Sequence, residues 1–143
     1  RQMCIRDRDK LAFGSIVNQG LPFYGGCVTY RFGVDCPGGD IRLTVPHYDG
    51  ALTEIFVDGV HAGEIIFPPY ELELKELSAG RHEIEVKLYT NRRNAFGTVH
   101  LYDKKCHCIG PDAWRTSGCQ WSYEYVLRNV GVESAPVIYS LKK

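Results

Sequence analysis

The sequence predicts an all-β fold, a jelly-roll β-sandwich of about eight or nine strands. Three observations support this prediction. Short segments alternate apolar and polar residues with a period of two, as half-buried strands do. The 143 residues include fifteen glycines and nine tyrosines, a combination that favours turns and strands over helices. No window repeats apolar residues at the spacing of an amphipathic helix.

The predicted strands follow one another with turn residues between them. They cover residues 27–32, 41–45, 52–57, 60–67, 70–74, 82–89, 97–102, 121–127 and 136–141. The strongest hairpin signal is Asp58-Gly59, because Asp-Gly supplies the positive φ angles of a tight turn. Pro68-Pro69 is expected to end the strand before it, since proline cannot donate to a central ladder.

The chain is long enough for one domain with a sizeable core, which is expected to span residues 19–143. Residues 1–9 show neither strand nor helix periodicity. They are expected to be a non-native or disordered leader and are excluded from the fold.

The charge and the cysteine content indicate which classes of partner and which cellular compartment to expect. Seventeen basic and seventeen acidic residues cancel, so neither nucleic acid nor an anionic membrane is expected as a partner. No apolar run is long enough to span a bilayer, and no signal peptide is visible. The six cysteines are expected to stay free thiols, which favours a cytoplasmic location.

One set of residues between positions 57 and 88 follows the order of a known pattern. Its members are Val57-Asp58-Gly59, Gly63, Phe67-Pro68-Pro69-Tyr70-Glu71-Leu72-Glu73-Leu74, Leu77, Gly80, Ile84, Val86 and Leu88. This pattern resembles the sugar-binding-type β-sandwich domains of glycoside hydrolase family 2. The family usually has Asn two residues after the turn glycine, where this chain has His82.

A second set of motifs covers residues 19–141. It comprises Gly20-Leu21-Pro22-Phe23-Tyr24-Gly25-Gly26, Asn91-Arg92-Arg93-Asn94-Ala95-Phe96-Gly97 with His100, Gly110-Pro111-Asp112-Ala113-Trp114-Arg115-Thr116, and Trp121-Ser122-Tyr123-Glu124-Tyr125. In this order the motifs resemble a C-terminal module of large, often clostridial glycosidases of the rhamnosidase or β-galactosidase-like type. The resemblance implies a galactose-binding-domain-like jelly roll whose partner is the catalytic domain of a parent chain.

No catalytic residue and no cofactor are expected in this chain. A glycosidase needs two carboxylates about 5 to 9 Å apart across the scissile bond. The acidic residues fall mostly in turns or on the polar faces of alternating strands, as solvated groups do. Glu124 differs because it lies between two tyrosines, but a lone carboxylate is a weak catalytic signal.

Sugar recognition requires flat aromatic faces and planar polar groups, and several residues in or beside loops provide them. The candidate carbohydrate-binding residues are Tyr24, Arg92, Asn94, His100, Trp114 and Trp121. Structural roles are the alternative: Trp121 could belong to the core, and the polar residues 91–94 could cap backbone groups. The face could also pack against the catalytic domain rather than bind a sugar.

Cys106, His107 and Cys108 offer a metal site as a minor alternative. Cys-X-Cys is not the usual ligand spacing for zinc, and a second ligand pair with finger-like spacing is missing from the sequence. Unpaired thiols are the simpler interpretation. The leading functional expectation is therefore a non-catalytic ancillary module of a multidomain glycoside hydrolase. The alternative is an autonomous carbohydrate-binding module.

Overall fold

The computed structural model describes residues 10–102 and 110–141. The predicted leader, residues 1–9, and the Cys106-His107-Cys108 motif lie outside the described residues. The described strands are β1 (Cys27–Cys36), β2 (Gly39–Thr44), β3 (Tyr48–Asp49), β4 (Leu52–Val57), β5 (Val60–Ile65), β6 (Glu71–Leu77), β7 (Gly80–Tyr89), β8 (Gly131–Val132) and β9 (Val137–Ser140).

The strands pair antiparallel in two main sheets. One sheet has four strands in the order β1-β7-β4-β5, and the other has three in the order β6-β2-β9. Strands β3 and β8 form a separate short pair. The all-β prediction is confirmed, whereas the jelly-roll connectivity stays a prediction.

The core lies between the two main sheets and is filled by the inward-facing side chains of alternating strands. Every second residue of β7 is fully buried, namely Ile84, Val86 and Leu88. They belong to the same buried cluster as Leu43 of β2 and Val45, which follows that strand. Two sheets that share one apolar cluster make a β-sandwich, since each sheet buries its inward face against the other.

The turn between β4 and β5 has the predicted geometry. Asp58 has φ 50° and Gly59 has φ 78°, so both central residues adopt the positive φ that a type I′ hairpin requires. The Asp58 N–H also donates to the carbonyl of Glu83 in β7, at 2.8 Å. The hairpin tip is therefore fixed to the neighbouring strand.

Two predicted strands, residues 97–102 and 121–127, are wrong. The two segments meet through one isolated bridge between Leu101 and Trp121, with no continuous ladder. Two short helical turns, α1 (Arg93–Phe96) and a 3₁₀ turn (Pro111–Trp114), lie in the same part of the chain. Four residues are too few to show an amphipathic period, which is why the sequence did not predict these turns.

The chain packs onto the sandwich ahead of residue 19, the predicted start of the domain. Ile16 is fully buried, and its N–H donates to the carbonyl of Val130 at 2.8 Å. A Cβ at Gly131 would lie 2.7 Å from the Gly14 carbonyl oxygen, so this close approach needs glycine. Within the described residues, no helix has the length and apolar character needed to cross a membrane.

Candidate functional site

The candidate site lies in the irregular stretch between β7 and β8, covering residues 91–102 and 110–130. Backbone hydrogen bonds join its two parts: Tyr102 N–H donates to Gln120 O at 2.8 Å, and Ser122 N–H donates to His100 O at 2.8 Å. A third bond joins Val126 N–H to Val99 O. These bonds hold the backbones of two loops side by side without forming a sheet.

Five rings form a continuous contact chain along these loops. We call it the aromatic cluster, and its members are Phe23, Tyr125, His100, Trp121 and Tyr123. In that order, neighbouring ring centroids are 5.1, 5.0, 5.9 and 4.2 Å apart. Edge-to-face and offset ring contacts at such distances contribute stabilising free energy in addition to that of the area they bury. The cluster stays open to solvent, with Tyr123 88% exposed and Tyr125 58% exposed.

His100 is held in one orientation inside the aromatic cluster. Its Nδ1 lies 2.8 Å from the carbonyl oxygen of Ser122. Because a carbonyl oxygen can only accept, Nδ1 must carry the hydrogen that makes this bond. The ring of His100 therefore presents a fixed face to Trp121 and Tyr125.

Tyr24 and Arg92 each lie close to one of two consecutive glycines, Gly26 and Gly25 respectively. The Tyr24 hydroxyl donates to the carbonyl of Cys27 at 2.9 Å, and a Cβ at Gly26 would lie 2.6 Å from that hydroxyl oxygen. A Cβ at Gly25 would lie 3.4 Å from Cγ of Arg92. The two glycines thus make room for both side chains. Phe23, the residue before Tyr24, connects this corner to the aromatic cluster.

Asn94 and Trp114 occupy different positions from the rest of the predicted set. Asn94 is 4% exposed, and its side chain donates to Arg128 O at 2.8 Å and accepts from Arg128 N–H at 2.9 Å. Its amide therefore pairs with backbone and does not face solvent. Trp114 is exposed on the 3₁₀ turn and takes part in no ring contact within the described residues.

A groove of about 930 Å³ lies beside the aromatic cluster. We call it the amide groove; its polar lining residues are Asn18, Gln120, Ser122, Glu124 and Asn129, and its rings are Tyr102 and Tyr125. Tyr125 belongs to both the amide groove and the aromatic cluster. The turn around residue 18 forms one wall, and residues 120–129 form the other.

A Ser–His–Asp arrangement occurs at the opposite, sheet-bound part of the chain. His82 Nδ1 lies 2.6 Å from Asp58 Oδ2, and His82 Nε2 lies 3.2 Å from Ser78 Oγ. Nε2 is closer still, at 3.0 Å, to the carbonyl oxygen of Ser78. Since that oxygen can only accept, Nε2 carries a hydrogen and cannot take a proton from the hydroxyl. The arrangement is an Asp–imidazolium ion pair that links two turns, not an activated nucleophile.

The protonation of this pair follows from its contacts. The hydrogen bond to Asp58, assisted by the Ser78 carbonyl, raises the pKa of His82. The hydrogen bond from His82, together with the backbone N–H of Glu83, lowers the pKa of Asp58. Each partner therefore favours the charged form of the other.

Glu54, His61 and Glu64 place their ligand atoms within 4.8 Å of one another on the outer face of the four-stranded sheet. Glu54 already accepts hydrogen bonds from Lys87 Nζ at 3.1 Å and from the Tyr89 hydroxyl at 2.9 Å. The bonds from Lys87 and Tyr89 lower the pKa of Glu54. A glycosidase general acid needs a raised pKa, so Glu54 does not meet that requirement.

The described cysteines agree with the free-thiol interpretation. Cys27, Cys36 and Cys119 are unpaired, and only Cys36 is buried. Burial, with the nearby charges of Asp35 and Asp58, raises the pKa of the Cys36 thiol. A thiol held in its protonated form is a poor nucleophile, so the surroundings of Cys36 do not activate it.

The structure brings together part of the predicted set and adds residues to it. His100 and Trp121 meet in the aromatic cluster, and Tyr24 and Arg92 lie at its Phe23 end. The sequence analysis did not select Phe23, Tyr123, Tyr125 or the groove amides as site residues. The alternation of Trp121, Tyr123 and Tyr125 was the signal for two of the rings. For Asn18 and Asn129 no local signal exists, because they are far apart in sequence.

The sequence matches no protein-family model and no curated protein. The fold is similar to part of the rhamnosidase from Novosphingobium sp. PP1Y, with a TM-score of 0.55 and 20% identity, covering 81% of this chain and 11% of that chain. It is also similar to part of a GH2 β-galacturonidase from Eisenbergiella tayi. The structure bound to glycerol has a TM-score of 0.56 and 20% identity, covering 90% of this chain and 19% of that chain.

A second structure of that β-galacturonidase, bound to galacturonate, gives a TM-score of 0.55 and 21% identity. It covers 90% of this chain and 20% of that chain. The chain thus spans between 11% and 20% of the length of these enzymes. At such identities the likeness shows a shared fold: the chain has the architecture of one β-sandwich domain found within larger glycoside hydrolases.

Proposed function

We propose that this chain is a non-catalytic accessory β-sandwich domain of a larger glycoside hydrolase. The observation that carries the proposal is the fold similarity to a small part, 11% to 20%, of rhamnosidase and β-galacturonidase chains. The ordered motifs at residues 20–26, 91–100 and 110–125 support it independently, because they resemble a module of such enzymes. Fold alone does not specify function, so the site must support the same conclusion.

The described surface suits a domain that packs against another. Large apolar side chains stay exposed in the loops, including Phe96 at 74% and Tyr102 at 72%. Clustered exposed rings typically mark an interaction surface rather than a surface that meets only water. The proposed partner is the catalytic domain of the same polypeptide, which would supply the two carboxylates of the reaction.

Two experiments test the accessory role. The reading frame that contains this chain is expected to encode a separate catalytic domain with a pair of acidic residues. A frame that encodes the β-sandwich alone would overturn the proposal. In an assay with nitrophenyl rhamnoside, galactoside and galacturonide, the isolated chain is expected to show no turnover. Turnover that disappears in the E54Q variant would also overturn it.

A second candidate function is carbohydrate binding, and the aromatic cluster favours it. Exposed, laterally fixed rings can stack on the C–H faces of a pyranose, and His100 and Trp121 are held by their contacts without ligand. Calorimetric titration with a panel of oligosaccharides tests this function. Binding is expected to weaken in W121A and to persist in Y139A, which removes an exposed ring from β9. No binding to any oligosaccharide would exclude it, and binding untouched in both W121A and W114A would exclude the aromatic cluster as its site.

A further inference from the structure

The amide groove has the volume of a small-molecule site, and hydrogen bonds hold the backbone of one of its walls. Its volume of about 930 Å³ falls within the range of about 300 to 1,000 Å³ common for ligand clefts. The wall formed by residues 120–126 is fixed to the preceding loop by the bonds from Tyr102 N–H to Gln120 O and from Val126 N–H to Val99 O. A groove with a fixed backbone needs little ordering when a ligand enters.

Three side chains of the groove, those of Asn18, Gln120 and Asn129, end in neutral carboxamides. Within the described residues, no hydrogen bond engages the side-chain amides of Asn18, Gln120 or Asn129. Each carboxamide offers two N–H donors and one acceptor oxygen in a plane. Neighbouring hydroxyls of a sugar ring both donate and accept, so carboxamides suit them better than purely donating or purely accepting groups.

The rings of the groove provide the apolar part of a sugar site. Tyr102 and Tyr125 line it and are 72% and 58% exposed. Contacts with Phe23 and His100 hold the Tyr125 ring in place, with centroids 5.1 and 5.0 Å away. A fixed ring beside unpaired carboxamides is the combination that binds the two chemical faces of a pyranose.

The charge of the groove selects among sugars. Its described lining includes one carboxylate, Glu124, and no Lys, Arg or His. A uronic acid would therefore meet the like charge of Glu124. Its neutral counterpart differs at C6, where a hydroxymethyl group can donate a hydrogen bond to Glu124.

We propose that the amide groove binds neutral oligosaccharides in preference to uronic acid oligosaccharides, with Gln120, Asn129 and Tyr125 as principal contacts. This inference rests on the proposed carbohydrate-binding function and specifies its place and sugar class. The neutral sugar that we propose for this groove differs in charge from the galacturonate bound in the similar β-galacturonidase structure.

The test compares neutral and acidic probes on the whole 143-residue chain. The probes are neutral trisaccharides of galacto, gluco, manno and xylo configuration, and trigalacturonate, each titrated by NMR. At least one neutral trisaccharide is expected to saturate, and trigalacturonate is expected to bind about fivefold to tenfold more weakly. E124Q is expected to strengthen trigalacturonate binding, because it removes the like charge. Trigalacturonate binding as tight as the best neutral probe, or no saturation with any neutral probe, would overturn the inference.

Variants locate the site. Q120A, N129A and Y125A are each expected to weaken neutral trisaccharide binding about tenfold, while the control Y139A leaves it unchanged. Binding that is lost in W121A but unchanged in Q120A and N129A would place the sugar on the aromatic cluster. That result would overturn the amide groove and leave the carbohydrate-binding function standing. The accessory role is decided separately, by the reading frame.

Discussion

Polar side chains differ in their hydrogen-bond partners between the paired sheets and the irregular loops. On the outer face of the sheets, charged groups pair across strands: Arg31 Nε lies 2.8 Å from Glu85 Oε1, and Lys87 Nζ lies 3.1 Å from Glu54 Oε2. In the loops, the amides of Gln120 and Asn129 line a groove with no partner in the described residues. These charged groups of the sheets pair with each other, whereas the two loop amides keep their hydrogen-bonding capacity unused.

The same contrast holds for apolar groups. The sheets enclose residues such as Ile84 and Leu88 completely, so their burial stabilises the fold. The loops leave Tyr123 and Tyr125 in solvent, where their area contributes little to folding. The part of the chain that stabilises the fold therefore differs from the part for which we propose recognition. Each of the following predictions tests that separation.

The largest expected effect comes from the sheet core. Ile84 lies fully buried in β7, between β1 and β4, so Ile84→Ala is expected to lower the free energy of unfolding by about 3 to 5 kcal/mol. Tyr123→Ala in the loops is expected to cost less than about 1 kcal/mol. Urea unfolding measures both. If Ile84→Ala does not fold, Ile84→Val is expected to cost about 1 kcal/mol. Equal losses at the core and loop positions would contradict the separation.

A smaller effect is expected where one loop residue behaves like the core. Asn94 pairs with the backbone N–H and carbonyl of Arg128 while 4% exposed. Asn94→Ala is therefore expected to lower the free energy of unfolding by about 1 to 3 kcal/mol, because two part-buried backbone groups of Arg128 lose the Asn94 amide as a partner. Asn129→Ala removes an exposed amide and is the matched control, with an expected change below about 0.5 kcal/mol. Urea unfolding of both variants measures the difference, and a loss in Asn129→Ala as large as in Asn94→Ala would refute it.

The regular part of the fold could be predicted from the sequence because alternation and turn chemistry agree there. The segment 82–89 alternates strictly, and the structure buries Ile84, Val86 and Leu88 on one side of β7. Asp58-Gly59 predicts its hairpin for the same reason. The short pair β3–β8 could not be predicted, since strands of two residues carry no period.

The same reasoning failed in the loops, because an alternating pattern can arise from contacts between rings as well as from a strand. Trp121, Tyr123 and Tyr125 alternate with polar residues, which led to a predicted strand. In the structure the alternation places two rings in contact, Trp121 with Tyr123 at 4.2 Å, without a ladder. Asn94 shows a related limit of prediction from the sequence. Its amide is chemically suited to a sugar, yet the side chain is buried and the amide bonds to the backbone of Arg128. Local sequence does not reveal which polar group will be enclosed.

The last prediction concerns the ion pair between His82 and Asp58, which joins the β4–β5 turn to β7 in the stable region. The pKa of His82 is raised by the hydrogen bond to Asp58, so its stabilising effect is complete below the unfolded value of about 6.5 and is lost as the pH rises through the folded value. The pKa of Asp58 is lowered by the hydrogen bond from His82. Its effect is present above the unfolded value of about 3.9 and is lost as the pH falls through the folded value.

The two effects together predict that the pair stabilises the fold most between about pH 4 and pH 6.5, and less at higher pH. His82→Asn places at this position the residue usual in the resembling family, whose amide can still donate to Asp58 but does not titrate. The fall in the free energy of unfolding between pH 6 and pH 9 is therefore expected to be shallower in His82→Asn than in the parent chain. His61→Asn, which removes an exposed imidazole from β5, is the matched control and should retain the parent slope. Urea unfolding at several pH values measures the slopes. A parent-like slope in His82→Asn would show that the ion pair does not couple protonation to the stability of the sheets.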